Sequence, residues 1–356
     1  MGLVAGGTSG VARYASALAG GIDRVQGEFP DLRLTFLTNS AGAESTPLRA
    51  LETRIARLGG RRAARGPLRL AVEHILARQV RADLLHFFDT TGPVLAPSRP
   101  FVTTAHDATI AYGFNPVRGG YKRRLYPWAL RRATATVAVS AFARDEVVRH
   151  FGADLDRVHV IHSGPGLGPI GEAVVPSATD SPFLLYVGNL AANKNLPFLI
   201  RAFGASTARA RLVLAGRPGE GFSELEAELA ASPRRDDVEL RTGPSDAEVE
   251  GLYRSAIALV LPSLYEGFGF TPLEAMSRDC PVVASDIPAV REVSGPGALL
   301  VPLDEQAWTA ALQRVTEDEG LRTDLRRRGR ETVGRYSWDE TARGVCRLLL
   351  EAGGTV

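Results

Sequence analysis

Cysteine is nearly absent: two residues in 356, Cys280 and Cys346, too few for a disulfide framework, which points to a reducing compartment. No run of about 18 apolar residues occurs, which excludes a membrane-spanning helix. The first residues lack the charged-then-apolar pattern of a secretory leader, so a cytoplasmic location is expected. No Gly-x-x-x-x-Gly-Lys-Ser/Thr segment offers a P-loop, and no Cys/His cluster offers a zinc site. The sole Asp-x-Asp, Asp154–Asp156, stands in a polar stretch without His or acidic companions, so no metal site is expected. Aromatic residues make up only 7 % against 45 % hydrophobic residues, the balance of an aliphatic-rich α/β protein.

The net charge of +2 conceals an asymmetry. Residues 1–175 hold 22 Lys/Arg against 14 Asp/Glu, a net of +8, and the remainder holds 20 against 26, a net of −6. Arg61-Arg62, Lys122-Arg123-Arg124 and Arg131-Arg132 carry much of the first excess. Such a half suits anionic lipid head groups, as a peripheral contact on the inner membrane face, or an acidic acceptor. Arginine-rich helices solvating themselves account for it equally well. Nucleic acid is not expected as a partner, because no basic-aromatic motif accompanies the charge.

The length suits two domains of about 150–180 residues. Short apolar runs alternate with helical stretches, the pattern of βαβ units and parallel sheets. In the first half, strands are expected at Leu32–Leu37, Leu84–Phe87, Phe101–Thr104, Thr136–Val139 and Val158–Ile161. Helices are expected at Val11–Gly20, Pro67–Val80, Gly119–Ala133 and Ala141–Phe151. Residues 163–182 read as a linker of small residues and turn signals. The alternation restarts with strands expected at Phe183–Val187, Arg211–Ala215, Val238–Arg241, Ala258–Leu261, Val282–Ala284 and Ala298–Val301, and continues to a last helix from Trp338 onward. This gives domains at 1–165 and 178–335, with 336–356 as a terminal helix. A first strand should precede the glycine loop, yet only Met1–Ala5 is available, so either that strand is a stub or, the favoured expectation, the reading frame starts upstream.

Ligands of open α/β sheets bind beyond the carboxyl ends of the strands. Four loops there carry chemistry. Gly6-Gly7-Thr8-Ser9-Gly10 lets backbone approach a phosphate ahead of a helix, though any Rossmann unit has such a turn. His106-Asp107 ends a strand, where His106 could bond a sugar hydroxyl or polarise the reaction centre, and Asp107 could fix an orientation, accept from the acceptor or simply cap a turn. In Gly188-Asn189 through Lys194-Asn195, a lysine precedes a helix start marked by Asn195, a setting that complements a diphosphate. Glu266-Gly267-Phe268-Gly269-Phe270-Thr271-Pro272-Leu273-Glu274 is the most specific. Its two carboxylates bracket a Gly-Phe-Gly turn, and carboxylates accept paired bonds from the vicinal diols of ribose and hexose.

Taken together, these residues resemble the family 4 glycosyltransferases of the GT-B fold, over nearly the whole length. The Glu-x7-Glu signature is met by Glu266 and Glu274, and the Gly188…Lys194 segment looks like the family's diphosphate loop. Val139-Ser140…Arg144 resembles another recurring step, and Tyr336-Ser337-Trp338 looks like the start of the helix that crosses back to the first domain. The resemblance departs at Asn189, where many members carry Arg, and at Ile161-His162-Ser163-Gly164, where members carry Pro-x-Asn-Gly. Members similar to mannosyl- and rhamnosyltransferases also lack that Arg.

The resemblance implies two Rossmann-like, doubly wound parallel-sheet domains facing a cleft. It implies Glu274 on the ribose hydroxyls, Glu266 on the sugar, Lys194 with Gly188 and Asn189 at the diphosphate, and Gly6 and Gly7 helping from the first domain. Gly243 and Pro244 would hold the base, and Gly267, Phe268, Gly269, Phe270 and Thr271 would present amides. His106 falls where the family places a histidine near the transferred sugar. The implied activity is a metal-independent, retaining hexosyl transfer without a cofactor, from a nucleotide-diphosphate sugar to a glycan or lipid-linked acceptor. GDP-mannose is the favoured donor, with rhamnose and glucose donors open. Front-face attack, with the leaving phosphate taking the acceptor's proton, makes electrostatic preorganisation the protein's main contribution. A GT-B nucleotide-sugar epimerase and a non-catalytic nucleotide-sugar-binding subunit are the alternatives.

Overall fold

The structure, a computed structural model, describes residues 10–38, 52–55, 82–90, 99–114, 116–166 and 181–354. The expected helix at Pro67–Val80 and the loop residues Gly6 and Gly7 lie outside these. The chain divides into two compact units, one of residues 1–166 with 336–356 and one of residues 167–335.

In the first unit, α1 (Gly10–Val25) leads to a short parallel pair, β1 (Thr35–Thr38) and β2 (Glu52–Ile55). A separate sheet orders β3 (Leu85–Phe87), β4 (Phe101–Ala105), β5 (Ala135–Ala138) and β6 (Val158–Val160), all parallel. Two helices connect its strands, α2 (Pro116–Arg132) and α3 (Ala141–Phe151). Every residue of β4 and β5 is buried, as expected of parallel strands covered on both faces. The core beneath α2 and α3 gathers Ile110, Tyr126, Leu130, Val147, Phe151 and Val158.

Two differences from the sequence reading have physical causes. Strand β2 has the sequence Glu-Thr-Arg-Ile, too short and too charged to show an apolar run. Helix α1 passes through Gly20-Gly21, where a stop was expected. Its continuation buries Ile22 and Val25, and Gly21 is where another backbone approaches: a Cβ there would lie 2.6 Å from the Trp338 carbonyl oxygen.

The second unit holds a six-stranded parallel sheet in the order β12-β11-β10-β7-β8-β9. Its strands are β7 (Phe183–Val187), β8 (Arg211–Gly216), β9 (Val238–Thr242), β10 (Ala258–Leu261), β11 (Val282–Ser285) and β12 (Ala298–Val301). Between them run α4 (Leu196–Ala205), α5 (Phe222–Ala231), α6 (Asp246–Ser255), α7 (Phe270–Met276) and α8 (Pro288–Ser294). The order is doubly wound: from β7 the chain moves toward β9, and from β10 it moves toward β12. The switch point therefore falls between β7 and β10, whose Leu184 and Leu185 pair with Ala258 and Leu259.

Helix α6 shows why these boundaries form. Ser245 and Glu248 close a reciprocal capping box, Glu248 N–H donating to Ser245 Oγ at 3.2 Å and Ser245 N–H to Glu248 Oε2 at 2.8 Å. Val249, Glu250, Leu252 and Tyr253 then form its buried face. Helices α9 (Glu305–Glu317) and α10 (Glu319–Val333) complete the second unit, and α11 (Trp338–Gly354) belongs to the first. Thr341, Ala342, Val345, Cys346, Leu348, Leu349 and Ala352 give α11 one apolar stripe, which packs on α1.

Candidate active site

Two glycines shape the loop after β7. Gly188 adopts φ 150°, and a Cβ on Gly216 would lie 1.7 Å from its carbonyl oxygen, so two backbones touch where no side chain fits. The Tyr186 hydroxyl donates to the Asn189 carbonyl at 2.8 Å and fixes the loop from below. Burial, then the charge of Glu266, pushes the Tyr186 phenol well above its ordinary value, so it remains a donor. Asn195 does not mark the helix start through a side-chain cap. It sits in the left-handed region at φ 56° and turns the chain into α4.

The loop after β10 is stitched to this one. Leu264 N–H donates to the Asn193 carbonyl at 2.9 Å, and Asn193 Nδ2 donates to the Tyr265 carbonyl at 3.3 Å. Between them Lys194 Nζ donates to Glu266 Oε1 at 2.6 Å, with side chains 18 % and 14 % exposed. The same Oε1 accepts from Ser263 Oγ at 2.7 Å. Both bonds fall on one oxygen: among the described residues Oε2 has no partner, and two of the three ammonium protons are unassigned. A cation and an acceptor with spare capacity thus stand side by side at the switch point of the sheet.

Farther along, Gly269 at φ 97° precedes α7 without a side-chain cap, and the rings of Phe268 and Phe270 lie 5.1 Å apart. Glu274, in the second turn of α7, is 3 % exposed and accepts from the Tyr253 hydroxyl at 3.1 Å. Gly243, at φ 69°, donates its N–H to the Gly216 carbonyl at 2.9 Å, which places the Gly243-Pro244 turn after β9 beside the end of β8. The predicted residues of this unit therefore gather along the carboxyl ends of β7 to β10.

His106 and Asp107 belong to the first unit. The His106 ring packs edge-on to Tyr14 at 4.8 Å, and its Nε2 lies 2.8 Å from the Phe88 carbonyl. Donation to that carbonyl puts a proton on Nε2, so in the neutral ring Nδ1 is the acceptor. Asp107 Oδ1 accepts from Thr109 N–H at 2.9 Å, so this carboxylate caps the following turn. Behind them His86 Nε2 contacts Thr104 Oγ1 at 3.0 Å, and burial holds the His86 imidazole well below its ordinary value. Asp154, of the Asp-x-Asp, accepts from Asp156 N–H at 3.2 Å within a turn.

Sequence reasoning missed Ser263, Asn193, Tyr186 and Tyr253: Asn193 and Tyr253 bond partners remote in sequence, while Ser263 and Tyr186 bond residues close along the chain through loop turns that no pattern marks. One signal was available for the lysine: of 42 Lys/Arg only Lys122 and Lys194 are lysine. A chain that uses arginine at all but one of its other basic positions carries the compact ammonium here.

A family profile described as Glycosyltransferase Family 4 matches residues 8–165, and one described as Glycosyl transferases group 1 matches residues 172–332. The D-inositol 3-phosphate glycosyltransferase of Xylanimonas cellulosilytica is 30 % identical over 238 residues, which cover 61 % of this chain and 57 % of that protein. The O-antigen chain mannosyltransferase RfbU of Salmonella typhimurium strain LT2 is 28 % identical over 266 residues, covering 74 % and 73 %. Sucrose-phosphate synthase from Thermosynechococcus elongatus shares the fold with a TM-score of 0.74 at 19 % identity, over 100 % of this chain and 96 % of that one.

Proposed function

The chain belongs to the family 4 glycosyltransferases, with two parallel-sheet α/β domains of the GT-B class, and on that premise we propose that it is a retaining, metal-independent hexosyltransferase. The donor is a nucleotide-diphosphate sugar, GDP-mannose favoured, and the acceptor a glycan or glycolipid. The observation that carries this reading is the Lys194–Glu266 pair at 2.6 Å, with unused capacity on both partners, at the switch point. An ammonium suits the diphosphate, whose charge it offsets as the leaving group departs. Glu266 Oε2 suits a hydroxyl of the transferred sugar, Glu274 suits the ribose, and the Gly243-Pro244 turn suits the base. His106, whose neutral ring offers Nδ1 as an acceptor while Nε2 bonds Phe88, suits a sugar hydroxyl, and Asp107 holds the His106 loop. The mannosyl preference rests on relatives such as RfbU, named as a mannosyltransferase.

Thermal shift tests it. UDP, GDP, dTDP and their sugars are screened with and without EDTA against wild type and Glu274→Ala. One nucleotide should stabilise the wild type in EDTA and lose that effect in the variant. Absence of any shift across the panel would sink the transferase reading.

A further inference from the structure

Glu266 is held from two sides by partners of different kinds. Lys194 is a cation on a long rotatable stem, which a diphosphate would attract. Ser263 is a fixed neutral donor: it is fully buried, its Oγ sits 2.7 Å from Glu266 Oε1, and its carbonyl accepts from Ser285 Oγ at 2.6 Å. Ser285, also fully buried, closes strand β11, so the chain Ser285 to Ser263 to Glu266 ties the carboxylate to the sheet itself. Both donors share Oε1, so loss of one leaves the other to keep Oε2 directed away from them.

We infer that Ser263 is the positioning residue for Glu266, holding its carboxylate in place when the donor's diphosphate draws Lys194 away. This rests on the donor-site reading above and deepens it. The ligand-free pair is then one state of an exchange. Lys194 passes from Glu266 to the diphosphate, and Ser263 alone prevents the released carboxylate from following its cation toward an anion it would repel. Oε2 consequently meets the sugar only after the nucleotide has been seated. A nucleotide diphosphate alone has no need of Ser263, whereas the intact sugar nucleotide does.

The experiment compares binding of GDP and UDP with that of GDP-mannose and UDP-glucose, by calorimetric titration, to wild type, Ser263→Ala and Ser285→Ala. Ser263→Ala should bind the nucleotide diphosphate as wild type does and lose about tenfold in affinity for the matching sugar nucleotide, the scale of a hydrogen bond to a charged group. Ser285→Ala, which keeps the Ser263 hydroxyl but frees its backbone, should show the same selective loss at smaller size. Equal loss on both ligands, or no loss on either, overturns the proposal. If Ser263→Ala fails to fold, Ser285→Ala decides on the same criterion. A wild type that binds none of the four compounds overturns the donor-site reading instead.

Discussion

Tyr253 donates its hydroxyl proton to Glu274 Oε2 across 3.1 Å, with the two residues 1 % and 3 % exposed. A carboxylate so deeply placed depends on its donors. Tyr253→Phe should cost about 1–3 kcal/mol of stability, the penalty for a buried acceptor deprived of a donor. If Glu274 reads the ribose, the variant should also lose preference for a ribonucleoside diphosphate over its 2′,3′-dideoxy analogue. Titration of both ligands checks this, and an equal weakening of both would reduce Tyr253 to a packing residue.

Glu250, one turn before Tyr253, clamps α6 to the segment after α7. Its Oε2 accepts from Arg278 Nε at 2.7 Å and its Oε1 from Arg254 Nε at 2.8 Å. Burial pushes its carboxyl up, but the bonds and charges of Arg278 and Arg254 outweigh this and hold it below its ordinary 4.5. A depressed carboxylate binds fewer protons folded than unfolded, so its stabilisation is present above the unfolded value and fades as pH falls through the folded one. Glu250→Gln should therefore lower stability near neutrality and flatten the decline below pH about 4.5, where wild type loses the same contribution. Urea melts at several pH values measure this; parallel acid limbs would contradict it.

In the first unit, Trp338 leaves no room beside Gly164. A Cβ there would lie 2.6 Å from Trp338 Cδ1, and the indole Nε1 already donates to the Pro165 carbonyl at 2.6 Å. Gly164→Ala should destabilise by about 1–3 kcal/mol through overpacking. Trp338→Ala removes the Cδ1 and Cγ contacts, though not the one with the main-chain nitrogen at 2.7 Å, while losing the hydrogen bond, so the double variant should be less destabilised than the sum of the singles. Additive losses in denaturant melts would mean that the two residues do not act on each other.

What was legible in the sequence is what is local. Phe183–Val187, Ala258–Leu261 and Ala298–Val301 are apolar runs bounded by turn residues, and they are strands at those same bounds. Glu266 and Glu274 stood out because a fixed spacing around Gly-Phe-Gly is a property of one segment. Ser263 and Tyr253 did not stand out. A serine in a loop is ordinary until the loop turns the nearby Glu266 back onto it, and a tyrosine in a helix is ordinary until the fold brings Glu274 to it. Glu52–Ile55 was illegible for another reason, since four residues with two charges carry no period. Gly21 misled because its usual meaning, a helix end, gave way to the demand for close approach by Trp338.

The rarity of lysine sharpens the last prediction. Lys194 meets Glu266 Oε1 head-on, as a point charge with two further protons to place. An arginine here would keep the charge but present a longer, planar fork, and would grip the carboxylate in two bonds and hold it from the sugar. Lys194→Arg should therefore retain nucleotide diphosphate binding better than Lys194→Ala, while turnover falls as far or further. A loss of about tenfold or more in kcat/KM is expected, part of it as a raised KM, because a carboxylate held from the sugar is lost to the ground state as well as to the transition state. Initial rates with the donor identified by thermal shift provide the measurement. Full turnover by Lys194→Arg would show that charge alone suffices at this position, and that its exchange with Glu266 has no part in the reaction.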